Sequence, residues 1–355
     1  YFNHQKLIRD YIQVDSPYRG LLLYHGLGVG KTCASIAIAE GFKSNRKVKI
    51  ILNKSLTQNF IVNLMFCGDE YFRTNQHWVY YKFKGDNDYK SYAKFLNIPM
   101  NATTEGAWFI DFEKEPNFNT LTSTQKESLN KQIMNMINSR YEFISLDGLQ
   151  EKKLLRMNEK RVLDNCVLII DEVHNLTNSM AKDNPGVRGK YLRQLIMDAE
   201  NLKIVFLSGT PMINNPFEVG QLFNLLRGYI NTYEIKLRPG SNPSSFSKLE
   251  AVLKEHQLVN QFISKQKENT IIITKNPDGF INSPDEAGIV RNEDGFTSND
   301  MFIDDIRKLI MEKGYNSTIS EKKYSAFPEK QEDFYQLFMD STNTNMKNME
   351  LFKSR

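Results

Sequence analysis

Five residues in two places could together carry phosphoryl chemistry: Lys31 and Thr32 close a glycine-rich loop, and Asp171, Glu172 and His174 close an apolar run. The loop reads GLLLYHGLGVGKT from Gly20 to Thr32. Glycines such as Gly26, Gly28 and Gly30 let backbone N–H groups turn inward on phosphate oxygens. A helix opening at Lys31 would add its unpaired donors and the positive end of its dipole. Lys31 supplies a point charge to the phosphates, and Thr32 a hydroxyl to Mg²⁺. A strict loop of the form G-x-x-x-x-G-K-[ST] has glycine where this chain has His25. The shorter form G-x-G-K-T is intact from Gly28 to Thr32. Taken alone, a glycine turn that happens to precede Lys-Thr would look the same.

The second half of such a site follows 140 positions after Lys31. Cys166–Ile170 has no strongly polar side chain, as expected of a strand buried on both faces of a parallel sheet. It closes on Asp171-Glu172-Val173-His174. Asp171 can hold Mg²⁺ through water, and Glu172 can polarise the attacking water as general base. His174 is placed to sense the nucleotide. A further strand, Lys203–Leu207, ends in Ser208-Gly209-Thr210-Pro211, which sets two hydroxyls on a sharp turn beside the carboxylates. Two solvated acids at a strand end are the bland alternative. The phosphate loop upstream argues against it.

The elements that must position these groups alternate strand and helix. Leu21–Tyr24 leads into the loop, and a helical segment with Ile36 and Ile38 leads out. Lys47–Leu52 and Tyr141–Leu146 read as further strands, each followed by a polar turn. In the first turn Asn53, Lys54 and Ser55 could touch a phosphate backbone; an ordinary strand–helix loop is the simpler reading. Gln5 lies on an amphipathic segment with Leu7, Ile8, Tyr11 and Ile12. Its amide could read an adenine edge, or it could be a solvated glutamine. Cys67–Arg140 is less regular and reads as an insertion, with lysine-interleaved aromatics from His77 to Lys84 and at Trp108-Phe109. These suit a half-buried strand better than base stacking. Beyond Arg227 a turn-rich boundary precedes helical patterns at Phe246–Ser264, Met301–Lys313 and Glu329–Asp340, and a strand at Thr270–Thr274.

Composition bounds the class. The 355 residues have room for two domains, or one with insertions. A net charge of +4 permits nucleic-acid binding without arguing for it. The three cysteines, Cys33, Cys67 and Cys166, are odd in number and form no C-x-x-C pair. That predicts a reducing compartment, no disulfide framework and no zinc site, with Cys33 and Cys166 as small core residues. No apolar run approaches the ~20 residues of a membrane span, and no signal peptide is visible. The start at Tyr1 reads as a piece excised from a longer chain.

GLGVGKT, DEVH and SGTP, in this order, resemble motifs I, II and III of superfamily 2 helicases. LSGTPMINNPFEVGQLFNLL is similar to the extended motif III of Snf2-type translocases, ILNKSLTQNF to their motif Ia and YEFISLDGL to motif Ib. His25 is no objection within that superfamily. SPYRGLLLYHGLGVGKT, TIIITKNPDGF and FPEKQEDFYQLF add a likeness to the nucleoside triphosphate phosphohydrolase I and early transcription factor small-subunit ATPases of large nucleocytoplasmic DNA viruses. The resemblance covers Asn3 to Arg227.

It implies an α/β fold, a RecA-like doubly wound, mostly parallel sheet forming the first helicase lobe over residues 1–230. An insertion lies near 68–140, and residues 231–355 form a mixed segment that links to and opens a second lobe. It implies ATP and Mg²⁺ as cofactors. Gln5, Gly26, Gly28, Val29, Gly30, Lys31, Thr32 and Cys33 would hold the nucleotide, and Thr32 and Asp171 the metal. Lys31, Asp171 and Glu172 would be catalytic, with His174, Ser208, Gly209 and Thr210 coupling hydrolysis to lobe movement. Asn53, Lys54, Ser55 and Ser145 would lie along the nucleic acid. The family's arginine pair belongs to the second lobe, and nothing before Arg355 matches it. The implied activity is nucleic-acid-dependent ATP hydrolysis driving movement on DNA, ahead of RNA, in viral transcription. Viral RNA polymerase or other transcription factors would be partners, in the virion or host cytoplasm. A strand-separating helicase, or a promoter-binding subunit with an auxiliary ATPase, are the rival expectations.

Overall fold

The computed structural model describes residues 3–26, 30–42, 46–98, 105–182, 186–237, 243–283, 285 and 287–338. Gly28 and Val29, both expected in the phosphate loop, lie outside the described residues. In chain order the strands are β1 (Gly20–Tyr24), β2 (Lys47–Leu52), β3 (Trp78–Lys82), β4 (Gly106–Ile110), β5 (Tyr141–Ser145), β6 (Cys166–Ile170), β7 (Lys203–Ser208), β8 (Ile230–Leu237), β9 (Val259–Lys265), β10 (Thr270–Lys275), β11 (Phe280–Asn282), β12 (Ile289–Arg291) and β13 (Ser317–Tyr324). Helix α1 (Asn3–Tyr11) precedes β1, α2 (Lys31–Gly41) follows it, and α3 (Thr57–Cys67) follows β2. Helix α4 (Asp86–Leu96) joins β3 to β4, α5 (Ser123–Arg140) leads into β5, and α6 (Glu151–Glu159) joins β5 to β6. Helices α7 (His174–Met180) and α8 (Val187–Asp198) lead to β7, α9 (Phe217–Arg227) to β8 and α10 (Pro243–Lys254) to β9. Helix α11 (Asn299–Glu312) precedes β13, and α12 (Gln331–Phe338) follows it.

Five strands form one parallel sheet in the order β1-β7-β6-β2-β5. Every residue of β6 and β7 is buried. The reason is visible in which face each residue takes. Val48, Ile50, Val167, Ile169, Val205 and Leu207 join one core, with side chains from α2, α3 and α5. Ile51, Leu168, Ile170, Ile204 and Phe206 join the other, beneath α6, α7, α8 and α9. Alternate residues of a strand point to opposite faces. A continuous apolar run therefore needs helices on both sides, and the sheet has them. This is the RecA-like α/β lobe the motifs implied.

Between α3 and β5, strands β3 and β4 pair only with each other, antiparallel. Trp78 and Trp108 are buried there, and Gln132 of α5 bonds both the N–H and the carbonyl of Trp108, at 2.7 and 2.8 Å. Tyr81 packs on Tyr92 and Phe109, and Phe83 stacks on Tyr92. The aromatic stretch is packing.

The C-terminal part builds an antiparallel sheet, β13-β8-β10-β9. Its core sets Tyr233, Ile235, Ile271 and Ile273 against Leu249 of α10 and Phe302 and Ile306 of α11. The expected single helix over Phe246–Ser264 is corrected here. Helix α10 ends at Lys254, and Val259–Lys265 is a strand paired with β10. Four polar residues, Lys254 to Gln257, interrupt the apolar stripe. The Leu258 N–H closes a turn on His256 Nδ1 at 3.2 Å. The chain then returns to the lobe. Asn224 of α9 exchanges two hydrogen bonds with the Phe327 backbone, at 3.0 and 2.7 Å, and the Phe334 ring packs on Phe217. Gly220 is required by that approach, because a Cβ there would come within 2.6 Å of the Phe334 ring.

Candidate active site

The carboxyl ends of β1, β6 and β7, three neighbours in the sheet, carry the residues expected to do the chemistry. After β1 the chain reaches Gly30, whose φ of 79° is the left-handed conformation that side chains resist. Gly30 is also the N-cap of α2. Lys31 folds back over the loop and donates to the carbonyls of His25 at 2.7 Å and Gly26 at 3.0 Å. Its ammonium is thus held by exchangeable oxygens where phosphate oxygens would come. Gln5 of α1 is only 3% exposed, and its amide nitrogen lies 3.4 Å from the Gly30 carbonyl. The solvated alternative for Gln5 is set aside: the residue is buried against the end of the glycine-rich loop.

At the end of β6, the Asp171 N–H donates to the Ile51 carbonyl at 3.2 Å, and Asp171 Oδ1 accepts the Glu172 N–H at 3.0 Å. Burial, then the neighbouring Glu172 charge, pushes the Asp171 carboxyl above its usual range. Lys31 is among the charges that act on it in the opposite sense. Two carboxylates crowded this way favour a bound cation. Among the described residues no group of three or more His, Cys, Asp or Glu could hold a metal. Mg²⁺ is a hard cation that takes one or two carboxylates and completes its shell with water and phosphate. A carboxylate at Asp171 and a hydroxyl at Thr32 would be such a donor set. Glu172 has φ 50°, a strained conformation for a non-glycine residue. Its carboxylate lies 3.2 Å from His174 Nδ1. The same ring nitrogen meets Ser208 Oγ at 3.0 Å and Thr210 Oγ1 at 3.5 Å, and Ser208 Oγ accepts the Thr210 N–H at 3.0 Å. A Cβ on Gly209 would sit 3.7 Å from both Lys31 Nζ and the His25 carbonyl. The three strand ends therefore touch one another.

A family model for the SNF2-related domain matches residues 5–267. The chain belongs to the SNF2-related domain family. Similar proteins come from large DNA viruses. One is named as a candidate ATP-dependent RNA helicase, R563, of Acanthamoeba polyphaga mimivirus, 30% identical over 62% of this chain and 32% of its own length. Another is a termination factor NPH-I homolog of African swine fever virus, 28% identical over 60% of this chain and 23% of its own. A third is named as a candidate helicase, 087L, of Invertebrate iridescent virus 3, 29% identical over 63% of this chain and 20% of its own. The chain spans from a fifth to a third of the length of these relatives. The resemblance to Snf2-type ATPases of large DNA viruses holds.

In this SNF2-related lobe the residues expected along nucleic acid share the same sheet edge. Leu52 of β2 is in register with Ser145 of β5, so Asn53 and Ser145 leave adjacent strands together. Lys54 and Ser55 are exposed. The Lys54 N–H points to Asp147 at 3.5 Å. Among the described residues no helix is long and apolar enough to cross a membrane.

Two features escaped the sequence reading. The first is Glu218, which is fully buried. Its carboxylate accepts the N–H groups of Ile213 at 2.7 Å and Asn214 at 3.1 Å. Asn214 in turn donates to Asn178 of α7 at 2.8 Å. Together they fix the turn from Gly209 to Asn214. Nothing in the spacing distinguishes Glu218 from a solvated first-turn acid on α9. The second is a correction. Cys33 and Cys67 form a disulfide with Cα atoms 5.7 Å apart, against the expectation of unpaired cysteines. Helices α2 and α3 pack side by side, which brings the first turn of one to the last turn of the other. No sequence spacing encodes that. The bond turns the Cys33 side chain toward α3, so what remains for a phosphate is the Cys33 backbone N–H in the first turn of α2. Cys166 is free and buried in β6, as expected.

Proposed function

We propose that the protein hydrolyses ATP with Mg²⁺ and uses the cycle to move along DNA, ahead of RNA, in viral transcription. The contact between the ends of β1, β6 and β7 carries this reading. On nucleotide binding Lys31 would exchange the His25 and Gly26 carbonyls for phosphate oxygens. Gly26, Gly28, Val29, Gly30 and the first-turn N–H groups of α2 would cradle them, and Gln5 would read the adenine. Thr32 and Asp171 would hold Mg²⁺, which supplies charge neutralisation on the phosphates. Glu172 would take the proton of the attacking water. His174, bonded to both Glu172 and Ser208, would carry the state of the site to the turn Ser208–Thr210. Asn53, Lys54, Ser55 and Ser145 would hold the nucleic-acid backbone. In this reading residues 1–230 are the ATP-binding lobe, and viral RNA polymerase or transcription factors are its partners in the virion or host cytoplasm.

The test is steady-state ATP turnover by the full protein, with and without DNA or RNA. Stimulation by nucleic acid that vanishes in Lys31→Ala supports the reading; turnover unaffected by Lys31→Ala overturns it. A strand-displacement assay separates movement along a duplex from unwinding.

A further inference from the structure

We propose that the outer face of α6 is a second nucleic-acid surface, which carries the backbone track from the ends of β2 and β5 down the flank of the lobe. The inference rests on the nucleic-acid reading above and goes beyond its strand-end residues. Lys152, Lys153, Arg156 and Lys160 are all exposed, while Leu154 is buried and Met157 half-buried beneath them. Among the described residues none of the four forms an ion pair. Arg161, next in the chain, is by contrast held by Asp164 and Glu200. Between Lys152 and Arg161 there are five basic residues and one acidic one, an excess as large as that of the whole chain.

The arrangement matters more than the count. Lys152, Arg156 and Lys160 stand at i, i+4 and i+8, so they stack on one face over about 12 Å. Like charges at this spacing destabilise a helix. A helix face that only meets water gains from mixing signs, and here Glu159 is the one acid beside three cations. The two acids of the helix offset the stripe only in part. Glu151 is engaged by the Tyr191 hydroxyl. Glu159 makes no ion pair with it among the described residues. Lys190, over the Tyr191 ring at 5.4 Å, adds a fifth cation at the amino end of α6. That end lies only a short turn past Ser145. The cationic face thus begins where the strand-end track stops, and a phosphate backbone is the polyanion that would pass from one to the other.

The experiment measures binding of a fluorescent DNA duplex to the full protein across a salt series. Its variants are Lys152→Gln/Arg156→Gln/Lys160→Gln and the corresponding Glu triple. All three positions are exposed, so the fold and the affinity for Mg-ATP should be unchanged, and both are measured alongside. Each phosphate contact contributes about 0.9 to the slope of log K against log salt. The Gln triple should therefore flatten the slope by about 2 to 3 and weaken binding on the order of tenfold or more at 0.1 M salt. The Glu triple should weaken it further. A triple Lys152→Arg/Lys160→Arg/Lys153→Arg control should keep the slope. If both neutral and acidic triples leave the slope unchanged while Lys54→Ala weakens binding, the α6 inference fails. The nucleic-acid reading of the strand ends then stands without it. If the wild-type protein does not bind the duplex at low salt, both readings fall.

Discussion

Replacing Glu218 should separate nucleotide binding from its coupling. Its buried carboxylate accepts two backbone N–H groups, at 2.7 and 3.1 Å, and so pins the turn that carries Thr210 against His174. Hydrogen bonds to a charged group contribute about 1.5–3 kcal/mol each. Alanine removes both and leaves two donors facing a void, while it also relieves the desolvation of a buried charge. The net destabilisation should be about 2–4 kcal/mol. Glutamine keeps the volume and one acceptor but turns an NH₂ toward the second donor, so it should cost about half as much. If about 1.4 kcal/mol of the lost restraint is felt in the transition state, nucleic-acid-stimulated turnover falls about tenfold. Mg-ATP affinity should change less than turnover, because Lys31 is held by the His25 and Gly26 carbonyls and meets this turn only at Gly209, away from the Ile213 and Asn214 N–H groups that Glu218 binds. Urea unfolding of the chain, ATP titration, and turnover of the full protein with and without DNA give the three numbers. A Glu218→Gln protein with wild-type stimulation would refute the positioning argument, whatever the alanine variant does to folding.

Other outcomes follow from the same geometry. Lys31→Ala should abolish Mg-ATP binding in a calorimetric titration. Glu172→Gln should keep that binding and lose about 10²–10⁴-fold in turnover, the usual contribution of a positioned general base; wild-type turnover would remove Glu172 from the chemistry. Asp171 has a carboxyl raised in the folded state by burial and Glu172. The folded state then binds the Asp171 proton more tightly than the unfolded one, so this group detracts from stability above its folded value, and the penalty is relieved as pH falls through it. Asp171→Asn should therefore raise the unfolding midpoint of the nucleotide-free chain at neutral pH while it abolishes Mg²⁺-dependent turnover; a lowered midpoint would contradict the sign. Cys67→Ser, or reduction, releases a cross-link across 34 positions and should cost about 4 kcal/mol by loop-closure entropy; equal denaturation midpoints with and without reductant would show that the bond does not form in solution.

What could be read from the chain, and what could not, divides along a physical line. The β6 run CVLII ends on two acids, and strand length, burial on both faces and the chemistry at its tip all follow from local residue types. The same holds for β1 and its loop. Features made by packing between distant elements were not legible. Glu218 looks like any acid in a first helical turn until the turn before it folds over the carboxylate. The disulfide depends on how α2 lies on α3, and Gly220 on where Phe334 returns. The break of the Phe246–Ser264 helix depends on β10, which offers Val259–Lys265 a partner, so tertiary pairing overrode local periodicity. Gln5 stood between two readings because its burial is decided by the loop it packs on.

The strand order itself argues for how the two halves of the proposed site communicate. Strands β1, β7 and β6, whose carboxyl ends lead to Lys31, Thr210 and Glu172, are contiguous in the sheet, and so are β2 and β5, which lead to Lys54 and end at Ser145. The two groups meet at one boundary, between β6 and β2. There the Asp171 N–H donates to the Ile51 carbonyl, two residues before Asn53. The residue proposed to hold the metal is thus one hydrogen bond from the strand that presents the proposed nucleic-acid contacts. Both strands are fully packed at this point, with Ile51 and Ile170 buried in the same core. Close-packed interiors transmit small shifts rather than absorb them. A change in charge at Asp171 on nucleotide turnover would therefore reach Asn53 and Lys54 directly. Ile51→Ala tests this: it leaves the backbone bond in place but opens a cavity beside it. If the packing carries the signal, the DNA stimulation of turnover should fall more than ATP affinity does. An equal loss in both would mean that the cavity only loosens the lobe.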